Sequence, residues 1–335
     1  MMKRKVKAGS AIFLALAVAF SVFVLPGVWA ADAIQVDRND CSVEFSVGSD
    51  YKELLTSDVT IDLYKVASVD KSGTYTAEPD FEGLDVSALD IDDQAGSAAK
   101  WSERAASAAQ KVTEKKLDAT DTVTTTNGMT KSEGLETGLY LIQPEEVVTD
   151  NYTYTFAPSL VALPNNYYGN GGSDTWVYNL TGENGITLKP EQHARYGKLV
   201  INKTLLHQNV TSGDKATFVF QIDIENPDGT KESKVEALDF KTAGSDSITI
   251  EHLRAGADVT VTEVYSGASY SLVSESDNPV KAKITANDEY SSADAPTAEV
   301  SFKNDTDGRP NGGYGIVNNF KLNKNGLYDH TKPAQ

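Results

Sequence analysis

Alternation of apolar and polar residues with a period of two is the feature that most constrains this chain of 335 residues. Successive side chains of an extended strand point to opposite faces, so each alternating run predicts a strand with one buried face. Such runs occur at residues 41–47, 59–66, 138–142, 159–163, 176–180, 198–206, 216–224, 247–253, 258–264 and 299–304. Clusters of glycine, proline, asparagine and aspartate separate them. Short strands at this spacing predict an all-β fold made of sandwiches.

One segment, residues 97–117, has the period of a helix instead of a strand. Its apolar stripe recurs every three or four residues and consists of Trp101, Ala105, Ala108 and Val112. Such a stripe predicts an amphipathic helix with one buried side. We expect it to be inserted in the first domain, where it would cover a sheet edge.

The N-terminus has the three parts of a signal peptide. Four basic residues and no acidic one stand within residues 1–7, and residues 11–25 are small or apolar except for Ser21. Small side chains at Val28 and Ala30 then match a cleavage site. Fifteen apolar residues are fewer than the roughly 20 of a spanning helix. We therefore expect residues 1–30 to be removed and the mature protein to be secreted.

Charge and cysteine content limit the partners and the source of stability. Loss of the four basic residues would take the net charge from −18 to −22, and such a surface repels nucleic acid. The single cysteine, Cys41, lies in an alternating run and is expected to be a buried, unreactive thiol. An exported protein without a disulfide needs another source of durability.

A polar segment at residues 190–197 separates two groups of strands. We therefore expect a first domain at 31–194, a second at 195–322 and a polar tail at 323–335.

Three polar residues of the second domain fall on the apolar faces of three different predicted strands. Lys203 and Glu263 each alternate with aliphatic residues in their strands. Asn304 alternates with a valine and a phenylalanine in its strand. A buried charge without a partner costs several kcal/mol or becomes neutral by a shift of its pKa. Lys203 alone would be read as a snorkelling side chain. The three together predict either a buried ion pair with an amide partner or a reactive group.

The segments that carry these residues resemble a known family. Residues 197–206 (GKLVINKTLL), 253–263 (LRAGADVTVTE) and 300–304 (VSFKN) look like the first strand, the glutamate strand and the last strand of a Cna B-type domain. Such domains are immunoglobulin-like modules of Gram-positive pilins and adhesins. The resemblance implies that the Lys203 amine condenses with the Asn304 side chain, with Glu263 as proton shuttle. Asn318 also alternates with apolar residues and is the alternative partner.

The first domain also resembles pilin sequence, namely the N-terminal domain of a major pilin. The similar segments are residues 60–66, 137–142, 160–164 and 176–180. The fold implied for the whole chain is thus a tandem pair of immunoglobulin-like sandwiches. The first predicted strand holds no lysine, so we expect no internal cross-link in this domain. Lys189, near the end of the domain, is the candidate for an intersubunit bond between pilins.

No catalytic motif of a hydrolase, nucleotide-binding enzyme or metalloprotease occurs in the sequence. The histidines are scattered, so we expect no metal and no cofactor, and no enzymatic turnover beyond one intramolecular reaction. The resemblance implies a structural subunit of a Gram-positive surface pilus, with other pilin subunits and sortase as partners. The alternative is a cell-surface adhesin that binds a host protein or glycan, on extracellular matrix or epithelium. Residues 321–335 hold no sortase motif, so we do not expect them to anchor the chain.

Overall fold

The computed structural model describes residues 33–87, 94–165, 176–209, 215–274, 276–309 and 319–331. The predicted signal peptide lies outside these residues. The elements up to residue 194 are β1 (Cys41–Val47), β2 (Thr60–Val69), β3 (Tyr75–Ala77), α1 (Gln94–Lys115), β4 (Asp121–Thr124), β5 (Met129–Leu135), β6 (Gly138–Pro144), β7 (Val147–Val148), β8 (Tyr152–Phe156), β9 (Ser159–Leu163), β10 (Asn179–Leu180), β11 (Ile186–Leu188) and β12 (Pro190–Ala194). The remaining strands are β13 (Tyr196–Leu205), β14 (Ala216–Glu225), β15 (Lys231–Phe240), β16 (Gly244–Arg254), β17 (Asp258–Tyr265), β18 (Tyr270–Leu272), β19 (Val280–Lys283), β20 (Ala298–Thr306), β21 (Asn319–Leu322) and β22 (Tyr328–Thr331). Strands dominate and the described part of the chain has one α-helix, so the predicted all-β fold with one helix is confirmed.

The chain divides into two compact units close to the predicted boundary. The first unit runs to Thr149 and resumes at Tyr154–Gln192, whereas the second combines Asp150–Thr153 with the residues from His193 onward. The short early segment joins the second unit because its backbone is bonded there. The carbonyl of Asn151 accepts a hydrogen bond from the Arg195 backbone N–H at 2.9 Å.

Two sheets make up most of the first unit. In one, β1 lies between β5, which is antiparallel to it, and the late strands β10 and β11, which are parallel to it. The other has the order β3-β2-β6-β9, with β4 also paired to β2. A further three-stranded sheet has the order β12-β8-β7.

Helix α1 packs against one face of the β3-β2-β6-β9 sheet, next to its edge strand β9. The stripe residues Ala105, Ala108 and Val112 are buried in one cluster with aliphatic residues of β6 and β9. The Trp101 indole N–H also donates to the carbonyl of Leu160 in β9, at 3.3 Å. The helix predicted at residues 97–117 therefore exists, and it begins and ends slightly earlier in the chain.

The second unit is a sandwich of two four-stranded sheets. Their orders are β16-β13-β20-β18 and β15-β14-β17-β19. Inward residues of both sheets form a single core, to which β13 contributes Leu199 and Ile201 and β14 contributes Phe218 and Phe220. The first strand, β13, and the last core strand, β20, pair in parallel through seven residues, from Leu199↔Ala298 to Leu205↔Asn304.

The predicted polar tail at 323–335 is partly a hairpin, because β22 pairs antiparallel with β21 through residues 319–331. The Asn323 side chain closes the turn by accepting hydrogen bonds from the backbone N–H groups of Asn325 and Leu327, at 3.0 and 3.1 Å. Gly326 supplies the positive φ, +78°, that this turn requires. The described residues contain no helix that could span a membrane.

Candidate functional site: a buried lysine, glutamate and asparagine

The alternation of β13 places Lys203 in the core of the second unit. Every second residue of this strand is buried, and Lys203 follows Leu199 and Ile201 on the inner face. Its exposed fraction is 0%, so it is among the largest fully buried side chains of the protein. Because the ammonium form of lysine is strongly hydrated, burial of this kind requires a partner or neutralisation.

Two other strands bring Glu263 and Asn304 to the same place. Glu263 follows Val259 and Val261 on the buried face of β17, and its exposed fraction is 4%. Asn304 follows Phe302 on the buried face of β20, with an exposed fraction of 0%. The structure thus brings together the three residues that the sequence singled out, one from each of three strands.

The three side chains contact each other directly. Lys203 Nζ donates to Glu263 Oε2 at 2.5 Å and also donates to Asn304 Oδ1. Asn304 Nδ2 donates to the other carboxylate oxygen, Glu263 Oε1, at 2.6 Å. One carboxylate therefore bridges the nitrogen of the amine and the nitrogen of the amide. The amine lies against the carbonyl group of the same amide.

The surroundings of Lys203 favour its neutral form. Burial lowers the pKa of the Lys203 amine from 10.5 to about 8, and the Glu263 carboxylate opposes this shift. Two aromatic rings flank the amine, since Lys203 Nζ lies 4.2 Å from the centre of the Phe218 ring and 5.9 Å from that of Phe220. The rings exclude water, which favours the neutral amine, although their attraction for a cation opposes part of this effect.

This arrangement is suited to amide exchange. Transfer of one proton from the lysine to Glu263 leaves a nucleophilic amine and a carboxylic acid. Attack of Nζ on Cγ of Asn304 forms the new C–N bond, while the acid protonates the amide oxygen. Glu263 can then take a proton from Nζ and give one to Nδ2, so that the Cγ–Nδ2 bond breaks and ammonia leaves. The proton on the oxygen returns to Glu263 as the carbonyl re-forms, so the products are the new amide, ammonia and a protonated Glu263. The sandwich holds the reacting groups in contact, which removes the entropic cost of bringing them together.

The other residues proposed from the sequence lie elsewhere. Asn318 lies outside the described residues. Lys189 is exposed between β11 and β12. The first unit also has a half-buried lysine, Lys65 in β2, which forms an ion pair with Glu136 at 2.5 Å. No group of three or more potential metal ligands occurs within the described residues.

Cys41 is a free cysteine, buried in β1 as predicted. Burial raises the pKa of its thiol to about 11, which keeps it protonated and unreactive.

Sequence reasoning missed one residue that contacts the site from outside the core. Asn278 precedes β19 and forms two hydrogen bonds with the backbone of Glu263. It stands in an irregular segment with no alternation, so no pattern indicates it. The aromatic residues Phe218 and Phe220, in contrast, could have been found, because both fall on the inner face of a run that the alternation predicts.

Comparison with protein families gives one match, to a domain of unknown function, DUF5979, over residues 199–307. The matched region extends from β13 to β20 and includes all three residues of the site. No curated protein matches the sequence.

Comparison with solved structures retrieves bacterial pilins and adhesins. The minor pilin GBS52 of Streptococcus agalactiae is 15% identical with a TM-score of 0.24, and the match covers 77% of this chain and 87% of that pilin. The major pilin SpaA of Corynebacterium diphtheriae is 12% identical with a TM-score of 0.24, over 80% of this chain and 100% of that one. An adhesin of Mobiluncus mulieris that contains disulfide, isopeptide and ester cross-links is 10% identical with a TM-score of 0.25, over 81% and 86% of the two chains.

The chain is thus similar to pilins and adhesins. These proteins belong to the class that the sequence resembles. Because the identities and TM-scores are this low, the function proposed below rests on the chemistry of the site.

Proposed function

We propose that the second unit forms an isopeptide bond between Lys203 and Asn304, with Glu263 as the proton shuttle. The observation that carries this proposal is the position of the Glu263 carboxylate. It contacts the nitrogen that would attack, at 2.5 Å, and the nitrogen that would leave, at 2.6 Å. A buried ion pair with an amide partner makes the same two contacts, and the peptide mapping described below separates it from the proposed bond. The reaction occurs once per chain and needs no cofactor.

The proposed bond has a mechanical consequence because of the strands it joins. Lys203 and Asn304 are 101 residues apart in the sequence and lie on β13 and β20, which pair in parallel. A cross-link over a loop of this length stabilises the fold by roughly 4–5 kcal/mol in the loop-entropy model. Tension applied between the two ends of the domain would pass through a covalent bond instead of through the core.

Such a domain suits a fibre under shear, and we propose that the protein is a structural subunit of a pilus on a Gram-positive cell surface. A signal peptide and a net charge of −22 in the mature chain accord with an exported, extracellular protein. Other pilin subunits and sortase are the partners of this role. Lys189 is the proposed intersubunit lysine, and its exposure leaves the amine accessible.

Peptide mapping tests the proposed bond. Trypsin cannot cut at a cross-linked Lys203, nor after Arg309 because Pro310 follows. The predicted species joins residues 199–215 to residues 304–321. Both candidate asparagines lie on the second peptide, so a parallel digest that cuts before Asp305 is needed to separate Asn304 from Asn318.

The expected result is a cross-link on the fragment that ends at Asn304 in the wild type, and linear peptides in Glu263→Ala. A cross-link on Asn318 would correct the partner. Linear peptides in the wild type would leave only the buried ion pair.

Immunoblots of cell-wall extracts test the role in a pilus. A structural subunit should give ladders that resist boiling in detergent, and Lys189→Ala should abolish them. Lys198→Ala, at a lysine of the second unit outside the site, serves as the control and should leave them unchanged. Ladders that persist in Lys189→Ala would show that Lys189 does not form the intersubunit bond. A protein that stays monomeric and binds matrix or epithelium would instead support the adhesin.

A further inference from the structure

Asn278 holds the backbone of Glu263 through its side-chain amide. Its Oδ1 accepts a hydrogen bond from the Glu263 backbone N–H at 2.9 Å, and its Nδ2 donates to the Glu263 carbonyl, also at 2.9 Å. The two bonds occupy both polar groups that the Glu263 backbone presents on this side. Asn278 itself is largely exposed and contributes little to the core.

The register of the sheet explains why a side chain is needed there. Strand β19 pairs with β17 from Asp258↔Lys283 to Val261↔Val280. Continuation of this antiparallel pairing by two residues would place Asn278 opposite Glu263. The backbone pairing ends at Val280, and Pro279 has no N–H to extend it. The side-chain amide of Asn278, which has the same donor and acceptor as a peptide group, forms the next pair of bonds instead.

The opposite flank of Glu263 is irregular as well. On that side β17 pairs with β14, and the register shifts between Val219↔Tyr265 and Phe220↔Glu263. The shift leaves one residue of β17 without a counterpart next to Glu263 and locally disrupts the pairing. Glu263 is therefore the last residue of the regular pairing with β14, opposite Phe220, and strand pairing does not reach it on the β19 side. Asn278 supplies the missing constraint on that side.

We propose that Asn278 is a positioning residue, which holds the Glu263 carboxylate where it bridges Lys203 and Asn304. This inference rests on the proposed isopeptide reaction. The carboxylate must contact two nitrogens at once, at 2.5 and 2.6 Å, so a small displacement of its backbone loses one of them. Misplacement of a reacting group by about 1 Å can slow a reaction by about 100-fold.

The test follows bond formation over time in the full chain. Protein is synthesised in a short pulse of cell-free translation, chased, and sampled into acidic denaturant, and the loss of ammonia is read from the intact mass. Asn278→Ala should form the bond at least about 10-fold more slowly than the wild type but to the same final extent. Asn278→Asp keeps the acceptor and loses the donor, so its rate should lie between the two.

Asn287→Ala is the matched control, because the side-chain amide of Asn287 donates to Ala295 and Thr297, away from Glu263. It should form the bond at the wild-type rate. A purely structural role for Asn278 is distinguished from a positioning role by measuring stability in the Asn304→Ala background. In that background the Lys203–Asn304 isopeptide bond cannot form. Addition of Asn278→Ala there should change the melting temperature little, since the residue is exposed. A large loss of stability with an unchanged rate of bond formation would overturn the inference.

A second readout does not depend on bond formation. In the same Asn304→Ala background, NMR of the lysine side chain gives the pKa of Lys203. The Glu263 carboxylate raises this pKa, so its displacement in the Asn278→Ala, Asn304→Ala double variant should lower the pKa further.

The outcomes separate the two proposals. A wild-type chain that never loses ammonia contradicts the isopeptide reaction, and an unchanged Lys203 pKa in the double variant then contradicts the positioning role too. A wild type that forms the bond, with Asn278→Ala equally fast, contradicts the positioning role alone.

Discussion

The two units join their first strand to a late strand in the same way, but with different chemistry. In the first unit, β1 has one antiparallel neighbour, β5, and the parallel late strands β10 and β11. In the second, β13 has one antiparallel neighbour, β16, and the parallel last core strand β20. Between the parallel strands β1 and β10 of the first unit, Ser42 Oγ donates to Asn179 Oδ1 at 2.9 Å. Between the parallel strands β13 and β20 of the second unit, Lys203 instead contacts Asn304.

The difference shows that topology alone does not make a reactive site. Ser42 is buried, but Asn179 is exposed and water can reach its amide. The hydroxyl group of a serine is also a weak nucleophile unless an adjacent base activates it. A second polar contact between these strands joins the hydroxyls of Ser46 and Thr187 at 3.1 Å, and neither can be attacked as an amide can. We therefore expect a covalent connection in the second unit and hydrogen bonds in the first.

The largest effect is expected from removal of the reactive amine. Lys203→Met keeps an unbranched side chain of similar size, so the core stays filled. Loss of the cross-link should cost roughly 4–5 kcal/mol. It should lower the melting temperature of the second unit by about 10–20 °C. Calorimetry of the mature chain measures this, with Lys303→Ala as the control at an exposed lysine of β20. An equal fall of the melting temperature in Lys303→Ala would contradict a cross-link at Lys203.

A pH effect should appear in the second unit when the bond cannot form. Burial lowers the pKa of Lys203 in the folded chain from 10.5 to about 8, and because the cause is burial we expect this depression to persist in Asn304→Ala. Between these values the unfolded state binds a proton that the folded state has released. The free energy of unfolding should therefore rise from about pH 8 to about pH 10.5 and then level off.

Urea titrations at several pH values measure this rise. The double variant Lys203→Met, Asn304→Ala lacks the titrating amine and should not show it. A flat profile in Asn304→Ala itself would contradict a depressed lysine pKa.

The smallest effect is expected in the first unit. Ser42→Ala removes a partly buried hydrogen bond and should cost about 1 kcal/mol. Ser46→Ala removes an exposed contact between two hydroxyls and should cost less. Chemical denaturation compares the two variants, and their intact masses should show no change beyond the substitution. A loss as large as that of Lys203→Met would contradict the proposed difference between the units.

The site could be predicted from the sequence because it lies on strongly alternating strands. Period two fixes which face a residue occupies, so Lys203, Glu263 and Asn304 could be assigned to the core without a structure. Asn278 could not be assigned, because it contacts Glu263 from an irregular segment and only the register of β17 against β19 brings them together.

The fold was predictable to the same extent. Strands with one buried face, such as β13 and β14, alternate clearly. Edge strand β15 does not, because most of its residues are exposed or half-buried on both faces, and the alternation misses it. The hairpin of β21 and β22 was also missed, although Asn325-Gly326 is a turn signal that could have indicated it.

The most direct test of the central claim is the intact mass of the secreted wild-type protein under denaturing conditions. We expect it to be lower than the mass of the mature sequence by one ammonia. Lys203→Met, Glu263→Ala and Asn304→Ala should each have the full mass of their sequences, and Lys303→Ala should keep the deficit. A wild-type mass equal to that of the mature sequence would contradict the account and leave Lys203, Glu263 and Asn304 as a buried ion pair with an amide partner.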